Sequence, residues 1–476
     1  MKYLVILVCL KLFVMLYLIN LGGIALGPDE AQYWTWSHSL DFGYYSKPPG
    51  IAWMIALGTV FWGSTELGVR LYALILGSLL PFVVYYLAIC AGQNKKVALY
   101  SGVLMALTPL GFLSTLFATT DVGFVFFWVL ATAVWARAME KKEAINAYAF
   151  AILVACGALF KWPIYILWAL ALIFYWRQWS VFLLALLGLL PSLYWNISHD
   201  FATFKHVGAT IDGGSSKGNL LEFIGAQAAL VSPLIFLFFI YASFFWFKKR
   251  REMGRGMTLC AYLTFLPLGA YLIASCFQKI QGNWCVFVYP TAFVLVASVF
   301  EKRSKWLQVG IVLSALLTIF ILMLPTGIAN GWLPQKMNKM NPFKECVGWR
   351  ELAPLIEKIE ERKSWFLFSH TYQMASELSF YNKEKKRAYF FNIEGRRRNQ
   401  FSYWPQMEEE EKGKNGLFFT LDKGKNWEKE LTSYFEQVEL DGEYSLFSAH
   451  GEALKVVKVY RCYHYNGKMP SSQDLY

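Results

Sequence analysis

The stretch GPDEAQYWTWSHSLDFGYYSKPPG, residues 27–50, is a polar and aromatic loop that directly follows an apolar run at residues 3–25. An acidic pair, Asp29-Glu30, stands where the run ends, and Lys47 precedes two prolines that stiffen the chain. A carboxylate here is able to accept a proton from a hydroxyl group or to hold a cation. A lysine held in place suits a phosphate. The loop therefore predicts a polar site at the end of a first membrane helix.

The aromatic residues of this loop have two interpretations. They suit the belt of rings at the level of the lipid headgroups, which we favour, and they also suit stacking on a sugar. The residues concerned are Tyr33, Trp34, Trp36, Tyr44 and Tyr45.

The composition of the whole chain indicates a membrane protein. Of its 476 residues, 56% are hydrophobic and 16% are charged, and the mean hydropathy is +0.36. Soluble domains average about 45–50% apolar and about 25% charged residues, so an ordinary soluble enzyme and a disordered chain are both excluded. The net charge of +12 divides into +10 over residues 1–324 (22 basic, 12 acidic) and +2 over the rest. Because the basic excess sits in short loops between apolar runs, it indicates membrane topology rather than nucleic-acid binding.

Apolar runs of about 17–25 residues predict transmembrane helices. The first run also resembles a signal peptide, but its length favours an uncleaved helix. Residues 51–62 are too few to span comfortably and predict an interfacial helix. About eleven spans are predicted, near residues 3–25, 67–91, 97–117, 122–137, 145–160, 162–176, 179–196, 220–247, 256–277, 284–300 and 306–324.

The loops with the most lysine and arginine predict the orientation. They alternate along the chain, so these loops and the N-terminus are expected in the cytoplasm, and residues 325–476 outside it. Most acidic residues then fall at the outer ends of the spans, where any one of them also fits the headgroup layer, but where the whole set predicts a functional site. The outer set is Asp29, Glu30, Asp41, Glu66, Asp121, Asp200, Asp212 and Glu222, with Lys47, Arg70, Lys161, Lys205, Lys217 and Lys279.

The polar C-terminal part predicts a small α/β domain, because helical and strand patterns alternate along it. Helices are predicted at 348–363 and 371–381, and strands at 364–370, 387–392, 416–422 and 453–463. Cys346 and Cys462 lie in this part, and whether they form a disulfide outside the cytoplasm stays open.

Three further outer positions carry candidate chemistry. Asp121 opens the fourth span, where it also fits a helix N-cap. Lys161, in FKWP, also fits a side chain that reaches up to the interface. The loop WNISHDFATFKHVG contains His199, Asp200, Lys205 and His206, which suit phosphate or metal, although the two histidines make no standard zinc spacing.

Taken together, several segments resemble a known family. They are PDEAQYW (28–34), GYYSKPPG (43–50), ATTD (118–121), FKWP (160–163), WNISHDFATFKH (195–206), GNWCVFVYP (282–290), YQMASELSFY (372–381) and GRRRNQFSYWP (395–405). In this order the chain resembles polytopic glycosyltransferases of the GT-C type, in the bacterial branch of the dolichyl-phosphate-mannose protein mannosyltransferase superfamily. The aminoarabinose–lipid A transferases are a related group.

The resemblance implies an inverting transferase at the outer face of the inner membrane of a bacterium, with a sugar on a polyprenyl phosphate such as undecaprenyl phosphate as donor. It implies catalytic roles for Asp29 and Asp121, with Glu30 beside them. It implies contacts to the carrier phosphate from Lys47, Lys161, His206 and Tyr45. The run GRRRNQ, with Arg396 and Arg397, either binds an anionic lipid headgroup or is a solvated loop.

Two positions differ from the aminoarabinose group. That group usually has Arg three residues after the first-loop Asp, where this chain has Gln32. It usually has an acidic residue before the Lys of its KP motif, where this chain has Ser46. Both differences speak against aminoarabinose as the sugar, and the second against a metal site built on that acid.

The expected architecture is therefore a GT-C membrane domain at 1–324, with a catalytic outer loop at 26–66, and a periplasmic α/β domain at 325–476. The expected acceptor is lipid A, lipopolysaccharide or another envelope glycan, and nucleic acid is not an expected partner. No cofactor is certain, and a divalent cation is one alternative. Other open functions are a protein O-mannosyltransferase-like enzyme, a lipid or sugar transporter or flippase, and an assembly protein whose tail docks a partner. A transporter would carry ionisable groups near mid-membrane, whereas here, apart from Lys11, they cluster at the outer boundary.

Overall fold

A computed structural model describes residues 1–211, 217–360, 365–396, 398–422 and 424–470. Two predicted residues, Asp212 of the outer acidic set and Arg397 of the basic run, lie outside these ranges. The first 329 residues are helical and the remainder contains a five-stranded sheet.

The helices of the first part are, in chain order, α1 Lys2–Asn20, α2 Pro28–Ser37, α3 Gly50–Trp62, α4 Glu66–Cys90, α5 Lys95–Leu107, α6 Pro109–Leu116, α7 Thr120–Lys141, α8 Ala147–Ala158, α9 Ile164–Phe174, α10 Trp179–Phe182, α11 Leu190–Ser198, α12 Ala202–Ile211, α13 Leu220–Val231, α14 Pro233–Lys249, α15 Arg255–Ala274, α16 Tyr289–Val299 and α17 Ser304–Ala329. Short 3₁₀ turns connect several of them, among them Gly282–Val288, which runs into α16.

Among the described residues, six helices are long and apolar enough to cross a membrane, or up to nine if each of three bent pairs counts as one span. The predicted number of about eleven is therefore not confirmed. Two of the bends begin at proline, between α5 and α6 at Pro109 (60°) and between α13 and α14 at Pro233 (103°). Since the residue before a proline avoids the helical region, a helix ends there although the apolar run continues. Residues 145–160, predicted as a span, form only the 12-residue helix α8.

The C-terminal part is the predicted α/β domain. Its sheet has the order β2-β1-β3-β5-β4, with the first three strands parallel and the others antiparallel. Its elements are α18 Leu352–Glu360, β1 Phe366–Ser369, α19 Tyr372–Tyr381, β2 Tyr389–Phe390, α20 Met407–Glu410, β3 Gly416–Thr420, α21 Trp427–Leu431, β4 Phe435–Ala449 and β5 Glu452–Tyr465.

Strand β4 is the strand of this sheet that the sequence did not predict, and the short helices α20 and α21 were not predicted either. Strand β4 is an edge strand with mostly exposed or half-exposed side chains, so it lacks an alternating apolar pattern. A two-residue hairpin turn, His450-Gly451, joins β4 to β5. Both residues have positive φ (52° and 79°), which a two-residue turn needs in order to match the twist of the two strands.

The two parts meet along α2 and α19. The ring of Phe380 on α19 lies edge-on to Trp34 on α2, with centroids 5.1 Å apart. Glu66, at the start of α4, accepts hydrogen bonds from Arg350 Nε (2.9 Å) and from the Tyr381 hydroxyl (2.7 Å). The C-terminal domain therefore holds the first loop against the membrane helices.

Cys346 and Cys462 are free, buried thiols. Cys346 packs in a cluster with Met15 and Phe343, whereas Cys462 lies in the core of the sheet. The alternative that they form a disulfide with each other is therefore not seen.

Candidate active site between the first loop and the C-terminal domain

A cavity of about 660 Å³ lies where α2, the loop after it, α12 and the C-terminal domain meet. Among the described residues, its lining comprises Asp29, Gln32, Tyr33, Tyr45, Ser46, Lys47, His206, Thr210, Gln281, Trp284, Thr371, Tyr372, Gln373, Phe390, Arg396, Arg398 and Asn399. Segments far apart in the chain thus converge on one polar space.

Helix α2 sets the position of Asp29. Pro28 is its first residue, which suits a position whose N–H has no helical partner, and Asp29 stands in the first turn, where the helix dipole favours a negative charge. The Asp29 side chain is open to the cavity and makes no hydrogen bond or ion pair with any described residue. Because protein atoms surround the cavity, burial raises the pKa of Asp29; Lys47 lowers it and Glu30 raises it further.

Glu30 points away from the cavity, although it is the next residue. Its carboxylate is buried against Arg70 of α4, which donates from Nε at 2.9 Å and from Nη2 at 2.6 Å. It also accepts the N–H groups of Gly27 (3.0 Å) and Ala118 (2.8 Å). Arg70 donates further to the carbonyls of Ile24 and Ala25 at 3.0 and 2.7 Å. This network ties the start of α2 to two membrane helices, and Glu30 is not among the residues lining the cavity.

Lys47 stands opposite Asp29 on a tight turn. The backbone N–H of Tyr44 donates to the Lys47 carbonyl at 3.1 Å, and the Tyr44 ring stacks on Trp36 at 4.6 Å. The Lys47 ammonium makes no ion pair with any described residue. Burial lowers its pKa, and nearby Lys161 lowers it further, while Asp121 and Asp29 raise it. Lys47 therefore presents to the cavity a cation that is not ion-paired within the described part of the chain.

The aromatic residues of the first loop are all buried, so the expectation of a headgroup belt is wrong for them. Trp34, Trp36 and Tyr44 pack into the interior of the protein, where they fix the loop. Only Tyr33 and Tyr45 of the five line the cavity. The centres of the Tyr45 and His206 rings are 4.8 Å apart. The backbone N–H of Tyr45 donates to the side-chain oxygen of Gln400, in the C-terminal domain, at 2.7 Å.

Asp121 and Lys161 form an ion pair of 2.6 Å, each with 18% of its side chain exposed. Asn283 donates to the other Asp121 oxygen at 3.3 Å. The N-cap of α7 is Thr119, so the alternative that Asp121 is the cap is wrong, and Asp121 lies in the first turn instead. It lines a separate, apolar crevice of about 150 Å³ between α5, α6, α7 and α13. Asn283 lines this crevice and its neighbour Trp284 lines the polar cavity, so the two spaces adjoin.

Of the four candidate residues in the loop 195–208, namely His199, Asp200, Lys205 and His206, only His206 lines the cavity. His199 stacks on Trp195 at 4.0 Å, and Lys205 pairs with Asp200 at the surface. Among the described residues, no group of three or more His, Cys, Asp or Glu side chains is placed to hold a metal ion.

The basic run of the C-terminal domain reaches the cavity through Arg396 and Arg398. Arg396 is held by Glu394, which accepts from its Nε at 2.7 Å. Arg398 and Gln373 were not singled out from the sequence, although both lie in segments that carry the family resemblance. Arg70 was assigned to the outer set of charges, and the structure places it in a buried ion pair with Glu30, outside the cavity lining.

Several known proteins are similar to this chain in sequence or in fold. Residues 46–195 match the family described as dolichyl-phosphate-mannose-protein mannosyltransferase. A lipid A galacturonosyltransferase of Rhizobium johnstonii is 28% identical over 327 residues, which cover 63% of this chain and 68% of that protein. An undecaprenyl phosphate-α-4-amino-4-deoxy-L-arabinose arabinosyl transferase of Pseudomonas aeruginosa is 28% identical over 189 residues, 35% of this chain and 34% of that protein. The crystal structure of ArnT from Cupriavidus metallidurans, in the apo state, superposes with a TM-score of 0.63 at 15% identity, over 96% of this chain and 98% of that one.

These similarities support a GT-C type glycosyltransferase related to the aminoarabinose transferases. Its fold is the ArnT-like GT-C fold, with at least six apolar helices and a small C-terminal sheet domain. The family match begins at Ser46, next to Lys47, and ends at Trp195, so it covers Asp121 and Lys161 but not Asp29.

Proposed function

We propose that this glycosyltransferase moves a sugar from a polyprenyl phosphate, such as undecaprenyl phosphate, to lipid A, lipopolysaccharide or another envelope glycan at the outer face of the bacterial inner membrane. One observation carries the proposal: a carboxylate, Asp29, and a cation, Lys47, line one cavity, and neither side chain makes a hydrogen bond or ion pair with a described residue. In the proposed reaction, the sugar donor and the acceptor supply the contacts that Asp29 and Lys47 lack. Relatives named for transfer to lipid A and for an undecaprenyl phosphate sugar support the same substrate classes.

The carrier phosphate is the leaving group and gains negative charge as the sugar bond breaks. A fixed cation stabilises that charge, because it needs no reorganisation during the reaction. Lys47 suits this role, and Tyr45 and His206 line the same cavity. The apolar crevice beside Asp121 suits the first part of the polyprenyl chain, since it adjoins the cavity and its lining is mostly aliphatic and aromatic.

Asp29 takes the acceptor proton in this scheme. It lies within a recess that raises its pKa, which brings its basicity closer to that needed for deprotonating a hydroxyl group. If the acceptor is a phosphate, it is already ionised and Asp29 orients it instead. Glu30 acts as a positioning residue, because its pairing with Arg70 fixes the start of α2. Asp121 acts on the carrier side through its pair with Lys161.

The cavity lining favours an acidic sugar over aminoarabinose. Asp29 is the one carboxylate among the described lining residues, against Lys47, Arg396 and Arg398. The positions beside it that differ from the aminoarabinose group, Gln32 and Ser46, are both uncharged and both in the lining. An amino sugar would find no second carboxylate there, whereas a sugar carboxylate would find arginine, its preferred planar partner. The galacturonosyl relative agrees with this choice.

The domain division and orientation belong to the same proposal. Residues 1–324 form the membrane domain with the catalytic loop 26–66, and residues 325–476 form the periplasmic domain, with the N-terminus in the cytoplasm. The basic loops support this orientation.

The test is mass spectrometry of lipid A, core saccharide and polyprenyl-phosphate lipids from cells without the protein, complemented by wild type, Asp29→Asn or Asp200→Asn. Asp200 is a matched control because it is an outer-loop aspartate with 78% of its side chain exposed, away from the cavity. One sugar should vanish from one envelope glycan, its donor should accumulate, and wild type and Asp200→Asn should restore the glycan. Unchanged glycans and donor pools would refute the proposal.

The family match favours one second candidate, a protein O-mannosyltransferase-like enzyme. In that case the envelope lipids stay unchanged and glycopeptides disappear from the envelope proteins of the same cells.

A further inference from the structure

The polar cavity has a continuation on the side of the C-terminal domain. A second cavity of about 410 Å³ shares Thr371, Gln373 and Arg396 with the first. Its lining also includes Pro28, the residue directly before Asp29. The second cavity therefore lies close to Asp29, the candidate base, on the side of the C-terminal domain.

A third cavity of about 250 Å³ extends this line further. It shares Glu345 and Leu421 with the second cavity, and it adds Lys344 and Lys455. Together the three spaces form a path along the interface between the C-terminal domain and the 3₁₀ turns that follow the last membrane helix. We call the second and third cavities the outer path.

The polar groups along the outer path are available to a ligand. The Gln373 side chain, at the junction with the first cavity, makes no hydrogen bond with any described residue, and neither does the Glu345 carboxylate. Asp422 uses one oxygen on the N–H of Gly424, at 2.9 Å. Two carboxylates and an amide are good partners for hydroxyl groups, which donate to them.

The far end of the path adds two lysines beside Glu345, which lines both outer cavities. Lys455 donates to the carbonyl of Val347 at 2.8 Å and lies 4.0 Å from the centre of the Trp349 ring, so its position is fixed. Lys344 is exposed beside it. A hydroxyl-rich molecule with an anionic substituent at its distal end fits this order of groups, whereas an uncharged lipid chain does not.

The donor does not need this space. Its phosphate contacts and its apolar crevice lie on the side of Lys47 and Asp121, at the membrane helices. The acceptor must reach Asp29 from another direction, since both substrates meet at one carbon atom. The outer path reaches the cavity of Asp29 from the side of the C-terminal domain.

We propose that the outer path binds the acceptor as a saccharide headgroup, with its hydroxyl groups on Gln373, Glu345 and Asp422 and an anionic substituent near Lys344 and Lys455. This inference rests on the proposed function and assigns the second substrate to a site of its own. The reacting hydroxyl enters the first cavity past Gln373.

The test uses the purified full-length protein in lipid nanodiscs. The donor is the polyprenyl-phosphate lipid pool extracted from cells without the protein, and the acceptor is lipopolysaccharide from the same cells, varied in concentration. Glu345→Gln should raise the half-saturating lipopolysaccharide concentration by about fivefold, because glutamine keeps an acceptor oxygen but loses the charge that strengthens the hydrogen bond. The maximal rate and the Kd for undecaprenyl phosphate should stay at the wild-type values. Glu351→Gln is the matched control, because Glu351 is an exposed glutamate six residues away that lines none of the three cavities.

A second variant blocks the path by volume. Leu421 lines both outer cavities and is 40% exposed, so Leu421→Trp should fold and should reduce transfer while undecaprenyl phosphate still binds. Wild-type acceptor saturation in both variants would overturn the inference, and so would a weaker Kd for undecaprenyl phosphate in either. If the wild-type protein transfers no sugar to lipopolysaccharide, the proposed function fails and the inference fails with it.

Discussion

Replacing Arg70 by methionine should destabilise the protein more than any other single change in the first loop or its supports. The Arg70 side chain is fully buried and donates to both Glu30 oxygens and to the carbonyls of Ile24 and Ala25. Methionine fills much of the volume but donates nothing. It leaves a buried carboxylate without its cation and two carbonyl groups without a side-chain donor.

The expected magnitude follows from these contacts. Removing one partner of a buried ion pair costs about 3–5 kcal/mol, because the remaining charge stays buried. The Glu30 carboxylate keeps the N–H groups of Gly27 and Ala118, at 3.0 and 2.8 Å, which places the loss toward the lower end of that range. We therefore expect Arg70→Met to lower the free energy of unfolding by about 3 kcal/mol.

The assay is unfolding of the purified protein in mixed detergent micelles by titration with dodecyl sulfate, followed by tryptophan fluorescence. The double variant Glu30→Gln/Arg70→Met should recover part of the loss, with a coupling energy of about 2 kcal/mol, because the uncompensated charge is gone. Arg255→Met is the control, since Arg255 is an exposed arginine at the start of another membrane helix. A loss below about 1 kcal/mol for Arg70→Met, or additive losses in the double variant, would refute the argument that this pair anchors α2.

Further predictions concern binding, pH and the domain contact. Lys47→Met should weaken undecaprenyl phosphate binding by about 10- to 100-fold, the loss of a charge-assisted hydrogen bond, in a fluorescence titration in which Lys205→Met stays at the wild-type value. Sugar transfer to a hydroxyl acceptor should fall as the pH drops through the pKa of Asp29, and because burial raises that pKa, the acidic limb of the rate profile should lie above the value of about 3.9 for a free aspartate. A limb at or below that value would contradict the role of Asp29 as base. Arg350→Met should lower the stability of the contact between the domains, since Arg350 donates twice to Glu66, and limited proteolysis should then release the C-terminal domain faster than from the wild type.

The sequence predicted most of the elements, and the misses have physical causes. The C-terminal helices and strands were found because they are rich in apolar residues: β3 is buried along its whole length, and most residues of α19 are buried. Strand β4 was missed because it is an exposed edge strand. The predicted number of spans was not confirmed, because an apolar run shows only that a segment avoids water, whereas Pro109 and Pro233 decide where a helix ends.

The candidate site was predicted in part for a similar reason. Asp29 and Lys47 flank one short loop, so the sequence already placed them together, and the structure puts both in one cavity. Glu30 looked equivalent to Asp29, but adjacent residues on a helix face directions about 100° apart, and Glu30 turns to Arg70. Gln373 was missed because it reaches the cavity from a helix 341 residues after Gln32, and no local pattern encodes such a contact.

The sequence by itself determined the apolar helical class, the C-terminal α/β domain and the candidate residue types that suit phosphate and proton chemistry, because composition, hydropathy and loop motifs are local properties of the chain. Only the tertiary structure decided which of those residues share a cavity, that Glu30 is buried in an ion pair, and that the C-terminal domain covers the first loop and supplies Arg396 and Gln373 to the site. The physical reason is that a site between two domains consists of contacts between distant segments, and these depend on how the folded surfaces pack.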